Sequence, residues 1–261
     1  MEAKLGINVG HGTDVGQVRE LNEDYHRISN FTPPGKPNAN IALLAVADGM
    51  GGAAAGEVAS SMATKILSEV MAEYSRAVGE SPRVVGLETA MEKAFKLANR
   101  KIHQEAVKSP RTQGMGTTLT CVAIQGKRAV FGHVGDSRAF IIREGKVKQL
   151  TKDHSWVAEQ LDKGVLTKED AENHAWKNLI TRALGTRADV TPDIFEVTLK
   201  LGDIIFICSD GLHGQLTEEE LLREITSTRD PQSAIEYLIA LANQRGGPDN
   251  ITGIITMVDQ L

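Results

Sequence analysis

The run from Ile41 to Ala47, Ile-Ala-Leu-Leu-Ala-Val-Ala, holds no polar side chain and stops at Asp48-Gly49-Met50-Gly51-Gly52. An apolar stretch of that length, ended by an acid and glycines, has the pattern of a strand buried on both faces that runs into a turn. A strand hidden on both sides needs a covering layer above and another below, which restricts the chain to layered architectures. Asp48 then sits at the border of that interior. A carboxylate there is poorly solvated unless it caps a helix or meets a cation.

The 261 residues, 41% hydrophobic and 24% charged, are enough for a full core, and one domain over 1–261 is expected. Net charge is −5, and the basic residues form no run or stripe, so neither nucleic acid nor an anionic membrane is indicated as a partner. No apolar stretch approaches the roughly 18 residues of a spanning helix, and Met1-Glu-Ala-Lys-Leu-Gly lacks the apolar core of a signal peptide. A cytoplasmic monomer is expected. Cys121 and Cys208 lie inside apolar strand-like runs and read as buried thiols. The position that a Cys-x5-Arg nucleophile motif requires to be arginine holds Lys127, with Arg128 one place too late.

Along the chain, Leu5 to Val9 reads as a first strand, and Gly12 to Asp24 as a loop leading into a second. Thr32 to Pro37 is a proline-rich surface excursion. Helical spacing appears over Ala53 to Met71 and again from Ser81-Pro82 to before Pro110, with Ser81 as cap and Pro82 at the first helical position. Four short strands follow at Thr117 to Ile124, Ala129 to Val134, Arg138 to Ile142 and Lys146 to Leu150, the last two joined by a tight Glu144-Gly145 hairpin. Their short linkers imply antiparallel pairing. Thr151 to Thr191, with His154 and His174, reads as a mobile lid. Asp203 to Cys208 is a further strand, Thr217-Glu-Glu-Glu220 a capping box, Asp230-Pro231 a second helix start, and Ile251 to Val258 the last strand.

Asp48, Asp210 and Asp249 each lie at the edge of an apolar strand beside glycine or proline, and Asp136 lies between two strands. One Asp-Gly at a strand end is usually only a turn; the repetition is what suggests a shared crevice. Gathered carboxylates repel one another unless cations sit among them, and an oxygen-only ligand set suits Mg²⁺ or Mn²⁺. The seven histidines form no His-x-His or His-Glu-x-x-His pattern, which argues against zinc.

The segments Val15 to Asp24, Ala47 to Gly52, Gly114 to Thr118, Gly132 to Arg138, Ser209 to Gly211 and Gly247 to Asn250 resemble, in order and spacing, the motif series of the metal-dependent protein phosphatases (PPM, type 2C) of compact bacterial type. The resemblance covers almost the whole chain. It implies an α+β fold, a four-layer α-β-β-α sandwich of two antiparallel sheets flanked by helices, with a flap over about 151–191 near the metal site. It further implies hydrolysis of phosphoserine and phosphothreonine by a metal-activated water at a pair of Mn²⁺ or Mg²⁺ ions. Asp48 would bridge the ions, Gly49 and the Asp24 region would serve one, Asp210 and Asp249 the other, and Asp136 a third, weaker ion. Glu23 could bind directly or through water and is not separated from Asp24, and Asn250 stands beside the site. Arg19 would bind the substrate phosphate. The partners implied are phosphorylated proteins, substrates of a serine/threonine kinase.

Two departures from the family pattern stand out. Met50 and Ala53 occupy positions where eukaryotic and many bacterial members, respectively, carry histidine, so either a metal-bound water or His154 protonates the leaving group, or turnover depends on substrates with good leaving groups. This leaves a pseudophosphatase, a phosphoprotein-binding module, as the rival reading. Gly49 to Ala54, with Glu69 further on, also fits a dinucleotide fingerprint, but Asp48 would oppose the pyrophosphate and Glu69 falls inside a predicted helix.

Overall fold

The computed structural model describes residues 6–51, 55–81, 85–108 and 110–260. Ala53 and Pro82 lie outside those residues, as does Leu5. Ser81, expected as the cap of the second long helix, instead closes the first, its N–H donating to the Ala77 carbonyl at 3.0 Å, and the second helix begins only at Leu87.

β1 (Ile7–Asp14) and β2 (Asp24–Phe31) are followed by β3 (Ile41–Met50), the element that the apolar run predicts. Its side chains alternate between two cores. Leu43, Ala45 and Ala47 face α1 (Ala55–Glu80) and α2 (Leu87–Lys108), while Ala42, Leu44 and Val46 face the opposite sheet. α1 runs well past Met71, where the predicted helix ends. Its last turns bury little beyond Ser75, and Gly79 lies against Pro34 so closely that a Cβ would stand 2.5 Å from the proline ring. These turns therefore carry almost no hydrophobic period.

Next come β4 (Gly116–Thr117), β5 (Leu119–Gln125), β6 (Arg128–Val134), β7 (Arg138–Arg143) and β8 (Lys146–Gln149). The predicted strand over Thr117 to Ile124 is thus two strands, one short and one long. Glu144 and Gly145 both have positive φ, 53° and 72°, the conformation of a tight hairpin turn. α3 (Trp156–Asp162) and α4 (Lys168–Asn173) lie within the segment read as a lid; α3 buries none of its residues. β9 (Asp193–Thr198) is an edge strand absent from the sequence reading. Then follow β10 (Ile204–Cys208), α5 (Asp210–His213), α6 (Glu218–Ser227), α7 (Pro231–Gln244) and β11 (Ile251–Val258). Thr217 and Asp230 cap α6 and α7 through their side chains, as their spacing predicts.

One sheet runs β1-β11-β10-β7-β8 and the other β2-β3-β5-β6-β9, with β4 paired to β3. All pairings are antiparallel. Ile205, Ile207 and Ile254 meet Leu44, Val122 and Phe131 between the sheets. α1 and α2 cover one outer face and α5 to α7 the other. This is the expected four-layer sandwich of two antiparallel sheets flanked by helices.

Candidate metal centre

Antiparallel order decides which strand ends meet. Asp24 opens β2 and is the direct cross-strand partner of Asp48 near the end of β3. In the other sheet Cys208, at the end of β10, pairs with Gly253 of β11 and Arg138 of β7. Asp210, Asp249 and the Asp136 turn are thereby brought to that same end. Ser209 ties the two sheets together there. Its hydroxyl donates to Asp24 Oδ2 at 2.7 Å and accepts from the Thr252 N–H at 3.0 Å.

The crowding is visible in the ionisation of these acids. Burial, opposed by the Ser209 and Thr252 hydrogen bonds and reinforced by Asp210 and Asp249, pushes Asp24 up to about 7. Burial and then the charge of Asp210 push Asp136 up to about 8. Asp48 is raised well above the carboxylate range by burial first and then by Asp24, Asp210, Asp136 and Asp249, although it keeps some contact with solvent. Asp210 is raised by burial and by Asp249.

Oδ1 of Asp24, Asp136 and Asp210 is in each case buried without a hydrogen-bond partner. Buried carboxylate oxygens normally find a donor, and leaving one unpaired is costly. Among the described residues no three or more His, Cys, Asp or Glu side chains are grouped as they stand so that they could hold a metal ion. The fit of hard divalent ions therefore rests on the unpaired oxygens, the mutual repulsion and the all-oxygen donor set.

The neighbouring residues hold this rim in place. Thr118 Oγ1 accepts from the Asp48 N–H at 2.9 Å, while the Asp48 carbonyl accepts from the Thr118 N–H at 2.8 Å and from Thr117 Oγ1 at 2.9 Å. Gly49 packs so tightly on the first turn of α1 that a Cβ would lie 2.2 Å from the Gly56 carbonyl oxygen. Glu23 and Asp24, left unseparated by sequence, have different surroundings. Glu23 Oε1 accepts from the Gly56 N–H at 3.1 Å, while Asp24 keeps an unpaired oxygen. Arg19 donates from one terminal nitrogen to Asp249 Oδ2 at 2.7 Å rather than pairing with Glu20 or Glu23. Asn250 Oδ1 accepts from the Glu23 N–H at 2.8 Å.

His154 lies beneath the Asp136 turn. Its Nδ1 accepts from the Gly135 N–H at 3.0 Å, and its Nε2 lies 3.2 Å from Asp193 Oδ2. Arg182 approaches the same nitrogen and donates to Asp193 Oδ1 at 2.9 Å. Burial and then Arg182 lower the His154 pKa. A buried neutral ring with both nitrogens engaged has no spare proton for a leaving group. Ser209, Thr117 and Thr118 stand inside the motif segments but have no assigned role in the sequence, because a hydroxyl beside a motif carries no signal until its partner strand is known.

Fold and acid cluster together define a class, the helix-flanked double-sheet proteins with an acidic cleft at one end of the sandwich. A family model described as protein phosphatase 2C matches residues 12–243, and the chain belongs to that family of metal-dependent phosphoprotein phosphatases. It is 37% identical over 247 residues to the serine/threonine phosphatase stp of Listeria monocytogenes, covering 95% of this chain and 94% of that protein. The solved serine/threonine phosphatase of S. agalactiae superposes with a TM-score of 0.86 at 37% identity, covering 97% of this chain and 100% of the other. The catalytic domain of the phosphatase PstP, solved in complex with 2 manganese ions, gives a TM-score of 0.81 at 32% identity and covers 97% of this chain and 99% of its own. Among the described residues no helix is long and apolar enough to cross a membrane.

Proposed function

We propose that this chain is a serine/threonine phosphoprotein phosphatase in which Asp24, Asp48, the Gly49 carbonyl, Asp210 and Asp249 hold a pair of Mn²⁺ or Mg²⁺ ions and Asp136 helps to hold a third, weaker one. The observation that carries this reading is the set of buried carboxylate oxygens without hydrogen-bond partners, drawn from both sheets. Relatives named as serine/threonine phosphatases, and a manganese-bound neighbour in fold, support it. Bound there, the ions would supply an acidified water and neutralise the phosphoryl oxygens.

The protein's own groups do the rest. Thr117 and Thr118 fix the backbone of Asp48. Arg19 offers its remaining N–H donors to the non-attacking phosphate oxygens. No side chain is needed as nucleophile, and both cysteines are buried with thiols pushed far from the reactive thiolate form. Residues 151–191 serve as a flap beside the cleft, the substrates are phosphoproteins made by a serine/threonine kinase, and the enzyme acts as a cytoplasmic monomer. The rival reading, a weakly catalytic phosphoprotein-binding module, draws on Met50, a side chain with no proton to give.

Hydrolysis of p-nitrophenyl phosphate and of a phosphothreonine peptide, measured with and without Mn²⁺ and with Asp210→Ala as control, tests the reading. Manganese-dependent turnover lost in the variant is expected. Turnover of neither substrate would favour the binding module.

A further inference from the structure

We propose that Asn250 is the positioning residue that holds the Arg19 loop over the cleft. The inference rests on the phosphate-binding role given to Arg19 above. The loop between β1 and β2 has no regular secondary structure and buries little of itself: Val18 is 67% exposed and Leu21 52%. A long, half-exposed arginine on such a loop has many rotamers to choose from, so something outside the loop must restrict it.

Asn250 does this from beneath. It is 6% exposed. Its Nδ2 donates to the Val15 carbonyl and to the Leu21 carbonyl, both at 2.9 Å, one at each end of the loop. Its Oδ1 meanwhile accepts the Glu23 N–H at 2.8 Å. Both amide protons and the amide oxygen are thus engaged in closing the loop ends. The preceding residue, Asp249, takes one terminal nitrogen of Arg19 at 2.7 Å. Gly16, with φ of 82°, lets the loop approach so closely that a Cβ would stand 2.3 Å from the Asp249 carbonyl oxygen. A second, outer tether runs from the Gln17 N–H to the Gly247 carbonyl at 2.8 Å and from Gln17 Nε2 to Asn243 Oδ1 at 3.0 Å. One dipeptide therefore governs both the loop and the direction of its guanidinium, and a purely structural asparagine would have no reason to act through Arg19.

A double-mutant cycle on manganese-loaded protein separates these roles, using Asn250→Ala, Arg19→Ala and the pair. KM for p-nitrophenyl phosphate and Kd for inorganic phosphate are the readouts, beside the Mn²⁺ concentration for half-maximal activity. Asn250→Ala should raise KM and phosphate Kd about tenfold, the size expected from losing one such restraint. It should leave the Mn²⁺ requirement within about twofold, and the rise should vanish in the Arg19→Ala background. An equal rise in both backgrounds would overturn the proposal. If Asn250→Ala does not fold, Gln17→Ala, an exposed change at the outer tether, should give a smaller rise of the same sign, again absent without Arg19. A rise there that persists without Arg19, or no rise at all, would overturn the proposal equally. Should the wild type bind phosphate yet turn over no substrate, the proposed function fails while the phosphate cycle still decides the role of Asn250. A wild type that does neither sinks both.

Discussion

The Ser209 hydroxyl donates a 2.7 Å hydrogen bond to Oδ2 of Asp24, joining the end of β10 in one sheet to the start of β2 in the other. Both residues are buried. Ser209→Ala leaves Oδ2 without that donor, which should cost about 1–3 kcal/mol and lower the unfolding midpoint. An unchanged midpoint in chemical denaturation would mean that the two sheets do not depend on this link at the cleft.

Asp210 is raised by burial and by the charge of Asp249, so its ionised form is disfavoured in the fold. A carboxylate with a raised folded pKa lowers stability at every pH above its unfolded value. Asp210→Asn should therefore raise the melting temperature in a chelator while abolishing the gain from manganese. For each ion held by the folded wild type alone, that gain would be about 2.7 kcal/mol at an ion concentration a hundred times Kd. A variant that melts lower in chelator, or that keeps the full manganese gain, would contradict the repulsion described at the site.

His133 is buried, with Nδ1 at 2.8 Å from Thr120 Oγ1 and Nε2 at 3.1 Å from the Lys152 carbonyl, and burial lowers its pKa from 6.5 to about 4. Because its folded value is the lower one, protonation favours the unfolded chain. The stability it contributes is whole above about pH 6.5 and is lost as pH falls toward about 4. His133→Gln should flatten the acid-side decline by at most about 1.4 kcal/mol per pH unit. Parallel denaturation curves for wild type and variant across that window would exclude His133 as a source of the slope.

His154 has both ring nitrogens engaged, by the Gly135 backbone and by Asp193. His154→Gln should reduce turnover of p-nitrophenyl phosphate and of a phosphothreonine peptide by the same factor. The phenolic substrate leaves without help, so a proton donor would show itself as a loss of about a hundredfold or more confined to the peptide.

β3 and the acids at strand ends were readable because each rests on local signals, an apolar run and a stop. Convergence was not readable from spacing alone. It depends on antiparallel pairing that sets Asp24 opposite Asp48 and Cys208 between Arg138 and Gly253. The resemblance to a known family supplied that step. The last turns of α1 and the edge strand β9 were missed for a physical reason: α1 there leans on Pro34 and buries mainly Ser75, and β9 is only half covered, so neither shows a strong hydrophobic period. His154 was weighed as a proton source because its sequence neighbours say nothing of Gly135 and Asp193, which engage its nitrogens.

β3 is pressed between two interiors, with Leu43 and Ala45 on one side and Leu44 and Val46 on the other. Sliding it by one residue would exchange those two sets and spoil both cores together, so the strand has a single seating. Asp48 inherits that immobility. Heat should accordingly displace Asp48 from its place beside Asp24 only when the whole molecule melts.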